Sequence, residues 1–160
     1  MAARKPAKKT ARAKKSAPKT KKLAVAKPRA AAEGLRMSSA SPSLTVNDLD
    51  RSLSWYRDVV GFAVEETWKD DGKVVGVSLR AGDVSFMIGQ DDWKKGRDRK
   101  KGEGFRIFCT TRKSVDDIAK RIKAKGGQLD HEPQDQPWGM RDFSVTDPDG
   151  FKITIAQNLR

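Results

Sequence analysis

The chain is 160 residues long, carries a formal net charge of +13 and contains a single cysteine, Cys109. That length supports one domain with a substantial core and not two ordinary ones, and a lone thiol excludes both an internal disulfide and a thiolate zinc cluster while suiting a reducing compartment. No run approaches the ~18 apolar residues that span a bilayer, and the N-terminus lacks the apolar core of a secretory signal, so a soluble, cytoplasmic protein with no membrane contact is expected.

The charge is concentrated at one end. Residues 1–36 hold 13 of the 34 Lys+Arg and one of the 21 Asp+Glu (Glu33), leaving 21 basic against 20 acidic residues in the remainder. Residues 1–30 are almost wholly Ala, Lys, Arg, Pro, Thr and Ser, with lysine pairs at Lys8/Lys9, Lys14/Lys15 and Lys21/Lys22 interrupted by Pro6, Pro18 and Pro28. Such a segment buries nothing and repels itself, which predicts a disordered tail over 1–36 ahead of a domain over 37–160. Those lysines suit nonspecific contact with DNA or RNA, because release of phosphate counterions needs only dense positive charge. With no aromatic residue between them, base stacking plays no part. A solubilising tail is the plainer reading; a targeting peptide is disfavoured by prolines that break an amphipathic helix; and a start at Met37 would omit the segment altogether.

From Ser41 the pattern becomes that of a packed domain. Residues 43–46 read as a short strand. Asn47 or Asp48 caps a helix whose apolar positions Leu49, Leu53, Tyr56 and Val60 follow helical spacing up to the stop at Gly61. Strands are expected over 62–68, 74–79 and 84–88, with Asp70-Asp71-Gly72 and Ala81-Gly82-Asp83 as hairpin turns. A basic, glycine-punctuated loop over 91–104 follows, and then the order repeats. A strand at 105–110 leads to a helix capped by Ser114 with Asp117 in the capping-box position and Val115, Ile118, Ala119 and Ile122 inward; Gly126-Gly127 stop it; strands are expected over 128–132, 140–145 and 151–156. Two successive strand, helix, three-strand units predict an α+β fold in which each sheet buries one face against a helix and leaves the other for a cavity.

The segment Val46-Asn47-Asp48-Leu49-Asp50-Arg51-Ser52-Leu53-Ser54-Trp55-Tyr56, the run from Gln136 to Phe143 and the closing stretch from Asp147 to Ile155 resemble, in order and spacing, the vicinal oxygen chelate (glyoxalase/bleomycin resistance protein/dioxygenase) superfamily. The likeness spans about Ser41 to Gln157 and looks nearest to the bleomycin-resistance-like group. It implies paired βαβββ modules, a curved mixed sheet around a pocket, and a pocket often completed in a homodimer. Enzymes of that superfamily hold a divalent metal through the first and last strands of each module, and carried over by position those places fall at Ser41, Phe86, Phe105 and Thr154. Two phenylalanines cannot ligate a metal and neutral hydroxyls do so poorly. A slip of register would bring in only Glu103 or Gln90, and a single histidine, His131, excludes a two-histidine, one-carboxylate iron centre.

His131, beside Glu132 and Pro133, reads as a solvated edge residue, Cys109 as a packing residue, and Asp147 and Asp149 as turn formers. The reading that follows is a protein with no metal and no cofactor that binds a small hydrophobic or aromatic molecule. Its pocket is expected to include Ser41, Phe86, Phe105 and Thr154, with Trp93, Trp138 and Trp68 at the rim and Arg141 pairing either with an anionic ligand group or with Asp142 or Glu132. The basic loop residues Lys94, Lys95, Arg97, Arg99, Lys100 and Lys101 turn the expectation from a cationic drug toward an anionic or neutral aromatic ligand. Two other readings stand beside it: a divergent metal-dependent glyoxalase-type lyase or isomerase, and a nucleoid-associated protein whose domain dimerises while its tail holds DNA.

Overall fold

The computed structural model describes residues 37–159. Its elements are β1 (Ser43–Val46), α1 (Leu49–Ser54) continuing into a π-helical turn (Trp55–Val60), β2 (Ala63–Asp70), β3 (Lys73–Ala81), β4 (Val84–Gln90), β5 (Arg106–Thr111), α2 (Val115–Ala124), β6 (His131–Asp135), β7 (Met140–Thr146) and β8 (Lys152–Asn158). They form two four-stranded mixed sheets, ordered β1-β4-β3-β2 and β5-β8-β7-β6, so the repeat read from the sequence is a repeat of topology. In each module the first strand runs parallel to the last, with Ser43 opposite Met87 and Phe108 opposite Thr154, and the other pairs are antiparallel.

The same hydrogen bond ties helix to sheet in both modules. Gln90, at the end of β4, accepts the N–H of Leu49 at 3.0 Å, and Gln157, near the end of β8, accepts that of Val115 at 2.6 Å. Each satisfies one of the N–H groups that a helix start leaves without a partner. The caps expected from the sequence do the rest: Asp48 Oδ1 accepts from Arg51 N–H at 3.0 Å, and Ser114 Oγ from Asp117 N–H at 3.2 Å.

Where the elements depart from expectation, a turn has taken the residue's N–H. The expected helix over 49–60 widens after Ser54. Its sequence places apolar residues side by side, Trp55 with Tyr56 and Val59 with Val60, and all four pack on the core. A turn holding more residues brings both members of each pair inward. Tyr56 O accepts from Gly61 and Phe62, both at 2.9 Å, with Gly61 in the left-handed region at φ +100°, so β2 begins one residue late. Phe105 and Phe151 likewise give their N–H groups to Gly102 O and Asp147 Oδ1, and β5 and β8 start after them. The strand expected over 128–132 lies instead at His131–Asp135. As an edge strand beside β7 it tolerates Pro133, with a register shift between His131 and Gln134.

One hydrophobic core runs through both modules beneath the helices. In the first, Tyr56, Phe62 and Phe86 meet edge-on, with ring centroids 4.9 to 6.2 Å apart. In the second, Val115, Ala119 and Ile122 of α2 lie on Phe143, Val145 and Ile153. The modules are joined by polar contacts at the rim of that core. The turn between β7 and β8 meets α1, where the Tyr56 hydroxyl donates to Asp147 Oδ2 at 2.8 Å, Ser52 Oγ–H to Asp149 Oδ2 at 3.0 Å and Asn47 N–H to Asp149 Oδ1 at 2.9 Å. On the other side Arg121 of α2 donates to Val60 O, an open carbonyl at the end of the π turn, at 3.0 Å.

Burial pushes the Asp147 carboxyl up, opposed by the hydrogen bonds from Tyr56, Phe151 and Asp149. An acid whose folded-state pKa lies above its unfolded value of about 4 costs stability at neutral pH, and that cost fades as pH falls through the folded pKa. Tyr56→Phe removes one donor to this carboxylate. It should lower stability by about 2 kcal/mol in urea titration at pH 7, and carboxyl-carbon NMR should show Asp147 titrating higher still.

Candidate functional site

Strand alternation sorts every candidate residue onto one of two faces of its sheet. Leu44, Val46, Phe86 and Ile88 are buried against α1, so their neighbours Ser43, Thr45, Ser85 and Met87 occupy the face that no described helix covers. In the second module Ile107, Phe143, Ile153 and Ile155 lie toward α2, and Arg106, Phe108, Asp142, Ser144 and Thr154 take the opposite face.

Phe86, expected in the pocket, is fully buried on the helix side between Tyr56 and Phe62. Phe105 has the parity of Ile107 and meets Phe151 edge-on at 6.1 Å, so it too is off the helix-free face. The correction is a slip of one residue, which in a strand exchanges the faces. Ser41 and Thr154 do fall on the helix-free side: Ser41 Oγ is 3.2 Å from Ser85 Oγ, and the Thr154 hydroxyl, 2% exposed as a residue, is paired with Ser144 Oγ at 2.8 Å. The central positions on the two faces are therefore Ser43 with Met87 and Phe108 with Thr154. A thioether, a phenyl ring and two neutral hydroxyls do not fit a hard divalent ion, and the described residues contain no cluster of three His, Cys, Asp or Glu able to hold one. Gln90, the residue a shifted register would recruit, spends its carbonyl on Leu49 and its amide on Asn47 O at 2.9 Å. Glu103 is an exposed loop residue.

These faces offer aromatic and polar contacts. Trp68 lies over Gly76, which pairs with Gly89 on the next strand; a Cβ at Gly76 would stand 3.1 Å from Trp68 Cε3, so glycine is what lets the indole lie flat. An ion pair between Arg80 and Glu65, with Ser78 Oγ donating to Glu65 Oε2 at 3.3 Å, flanks that platform. On the second sheet Phe108 is 49% exposed above the buried Ser144–Thr154 pair, and Asp142 is buried with its Oδ1 accepting from Gln136 Nε2 at 2.8 Å. Sequence reasoning did not place Ser43, Met87, Phe108, Asp142 and Ser144 on these faces. Counting outward from the buried pair Leu44 and Val46 gives the parity that would have found the first of them.

The other expected rim residues are placed differently from one another. Trp138 is 63% exposed at the β6–β7 turn. Arg141 faces α2, where it grips Asp116 with two 2.9 Å bonds and Asp135 with one of 2.7 Å. Those carboxylates hold its guanidinium pKa up, and its partners are neither Asp142 nor Glu132. Trp93, in the left-handed region at φ +59°, sits under the guanidinium of Arg97, 4.5 Å from the ring centroid.

The basic loop is folded around its own acids. Asp91 is buried and accepts from Trp93 N–H at 2.9 Å; Arg99 contacts it, and Lys101 Nζ lies 2.7 Å away as an ion pair out of line for a directed hydrogen bond. Beginning with the Lys101 ammonium, these neighbours hold the carboxyl down at about 2. Lys94 is paired with Asp92 at 3.1 Å. Much of the charge that the sequence offered to an anionic ligand is thus neutralised within the loop.

The tail lysines Lys8, Lys9, Lys14, Lys15, Lys21 and Lys22 lie outside the described residues. No described helix is long and apolar enough to cross a membrane.

A family model described as the Glyoxalase/Bleomycin resistance protein/Dioxygenase superfamily matches residues 38–155. Among solved structures, the chain is similar to TioX from Micromonospora sp. ML1, with 23% identity over 77% of this chain and 100% of that one and a TM-score of 0.63. It is similar to a superfamily member from Sphaerobacter thermophilus, with 24% identity over 77% and 100% and a TM-score of 0.61. A glyoxalase/bleomycin resistance protein/dioxygenase from Nocardioides is 15% identical over 80% of this chain and 88% of that one, at a TM-score of 0.62. At these identities the likeness is one of fold. No curated protein matches the chain by sequence.

Proposed function

Because the chain belongs to the glyoxalase/bleomycin resistance protein/dioxygenase superfamily, we propose that it is a metal-independent binding protein for a small, partly aromatic molecule. The ligand is held on the helix-free faces of the two sheets. The observation that carries this reading is the set of side chains at the central positions: Ser43 and Met87 on one face, Phe108 and Thr154 on the other, none of them an acid, a base or a metal ligand. The acids on these faces lie off the central positions and are held, Asp142 by Gln136 and Glu65 by Arg80, whereas stacking and apolar contact have Trp68, Met87 and Phe108.

A second copy of the chain completes the pocket in this proposal. Phe108 stands half exposed on a face that no described helix covers, and an apolar surface of that kind is stable when buried by a partner. The chain is then expected to elute as a dimer in light-scattering chromatography and to bind planar aromatic ligands with quenching of tryptophan emission. Phe108→Glu should give monomers that bind at least tenfold more weakly, the order of loss for one aromatic contact of ~1.5 kcal/mol. A monomeric wild type, or undiminished binding by the variant, contradicts this reading.

The tail carries a separate function in the same proposal, supported by the concentration of 13 basic residues against one acid in residues 1–36. It holds nucleic acid through phosphates without reading sequence, and the chain is then cytoplasmic and nucleoid-associated. DNA affinity should fall steeply and log-linearly with salt and be lost on deletion of residues 1–36. Equal binding by the truncated chain overturns it.

A further inference from the structure

A cavity of about 350 Å³ lies between the two modules on their helix side, away from the faces assigned above. Its walls come from the end of the π turn and start of β2 (Val60, Gly61, Phe62), the β3–β4 turn (Ala81, Gly82, Val84), the end of β5 (Cys109 to Thr111), Ile155 of β8, and α2 with the residue two before its start. The floor is apolar, built by Phe62, Val84, Cys109, Ile118 and Ile155. Two cations, Lys113 and Arg121, stand in its wall, and no carboxylate does.

Those cations are available. Among the described residues neither enters an ion pair, unlike Arg141, which meets Asp116, and Lys123, which meets Glu132. Arg121 uses one nitrogen on Val60 O and has donors to spare. Asp117 borders a more open depression that shares Lys113, Ile118 and Arg121, and Asp83 lies exposed in the β3–β4 turn outside the cavity lining. An apolar floor with unpaired positive charge at one side is complementary to a molecule with an apolar body and a single negative head.

We propose that this intermodule cavity is a second binding site, taking a compact monocarboxylate with a one-ring or short-chain body, its carboxylate between Lys113 and Arg121 and its apolar end on Phe62, Val84 and Ile155. The proposal does not depend on the assignment of the helix-free faces, since it shares none of their residues. Occupancy wedges the modules beside the Arg121–Val60 contact, so a bound acid also holds the two sheets in fixed relation.

Cys109, the chain's one cysteine, reports on the site, because it lines the cavity and is the one thiol that iodoacetamide can modify. The experiment measures the rate at which iodoacetamide modifies the full chain against rising concentrations of 4-phenylbutyrate, 4-phenylbutanol and 4-phenylbutylamine. The acid should protect at about tenfold lower concentration than the alcohol, the worth of one charge-assisted hydrogen bond, and the amine should protect least. Lys113→Gln, an exposed change remote from the core, and Arg121→Gln should each bring the acid to the level of the alcohol while leaving the alcohol unchanged. Equal protection by all three compounds, no protection by the acid, or an acid preference that survives both substitutions overturns the proposal. Because Phe108→Glu leaves this cavity untouched, the two sites fail or succeed separately.

Discussion

Everything in the domain hangs on one turn. Asp147-Pro148-Asp149-Gly150 closes the β7–β8 hairpin, and the same two carboxylates reach across to the first module, Asp147 to the Tyr56 hydroxyl and Asp149 to Ser52 and the backbone of Asn47. The loop before β5 docks on it as well. Gly102, at φ +70°, passes so close to the Gly150 carbonyl that any Cβ would collide with backbone there. A four-residue turn therefore fixes α1, the basic loop and the second sheet at once, and it does so by burying an acid that would otherwise prefer water.

That fixation decides where function can reside. With the two helices and the aromatic cluster turned inward, the remaining sheet faces point outward, and their central residues set the chemistry. At those central positions stand Ser43, Met87, Phe108 and Thr154, of which the last already bonds to Ser144. Acids are plentiful in the domain and many are held in structural contacts: Asp91 orders a loop, Asp116 and Asp135 hold Arg141, Asp147 and Asp149 join modules, and on the helix-free faces Glu65 meets Arg80 and Asp142 meets Gln136. The basic loop shows the same economy, since Arg97, Arg99 and Lys101 fold onto Trp93 and Asp91.

Local features were legible in the sequence and long-range ones were not. Period-two alternation, the caps Asp48 and Ser114 and the stop at Gly61 act over a few residues, and the two modules and their α+β topology followed from them. Strand starts slipped by one where an N–H of Phe62, Phe105 or Phe151 was taken by a turn. The site suffered more from the same unit of error, because one residue separates Phe86 in the core from Met87 on the open face. The partners of Tyr56 and Arg141 lie 91 and 25 residues away in sequence, and no pattern of composition or spacing pairs them.

The claim that the central positions hold no metal is the one on which the functional reading turns. The most direct test is elemental analysis of the purified chain after reconstitution with nickel, zinc, manganese and iron(II) and removal of free ions. The account predicts metal well below one equivalent per chain with each of the four. Retention near one equivalent, lost on replacing residues of the helix-free faces, would contradict it and return the protein to the metalloenzymes of its superfamily.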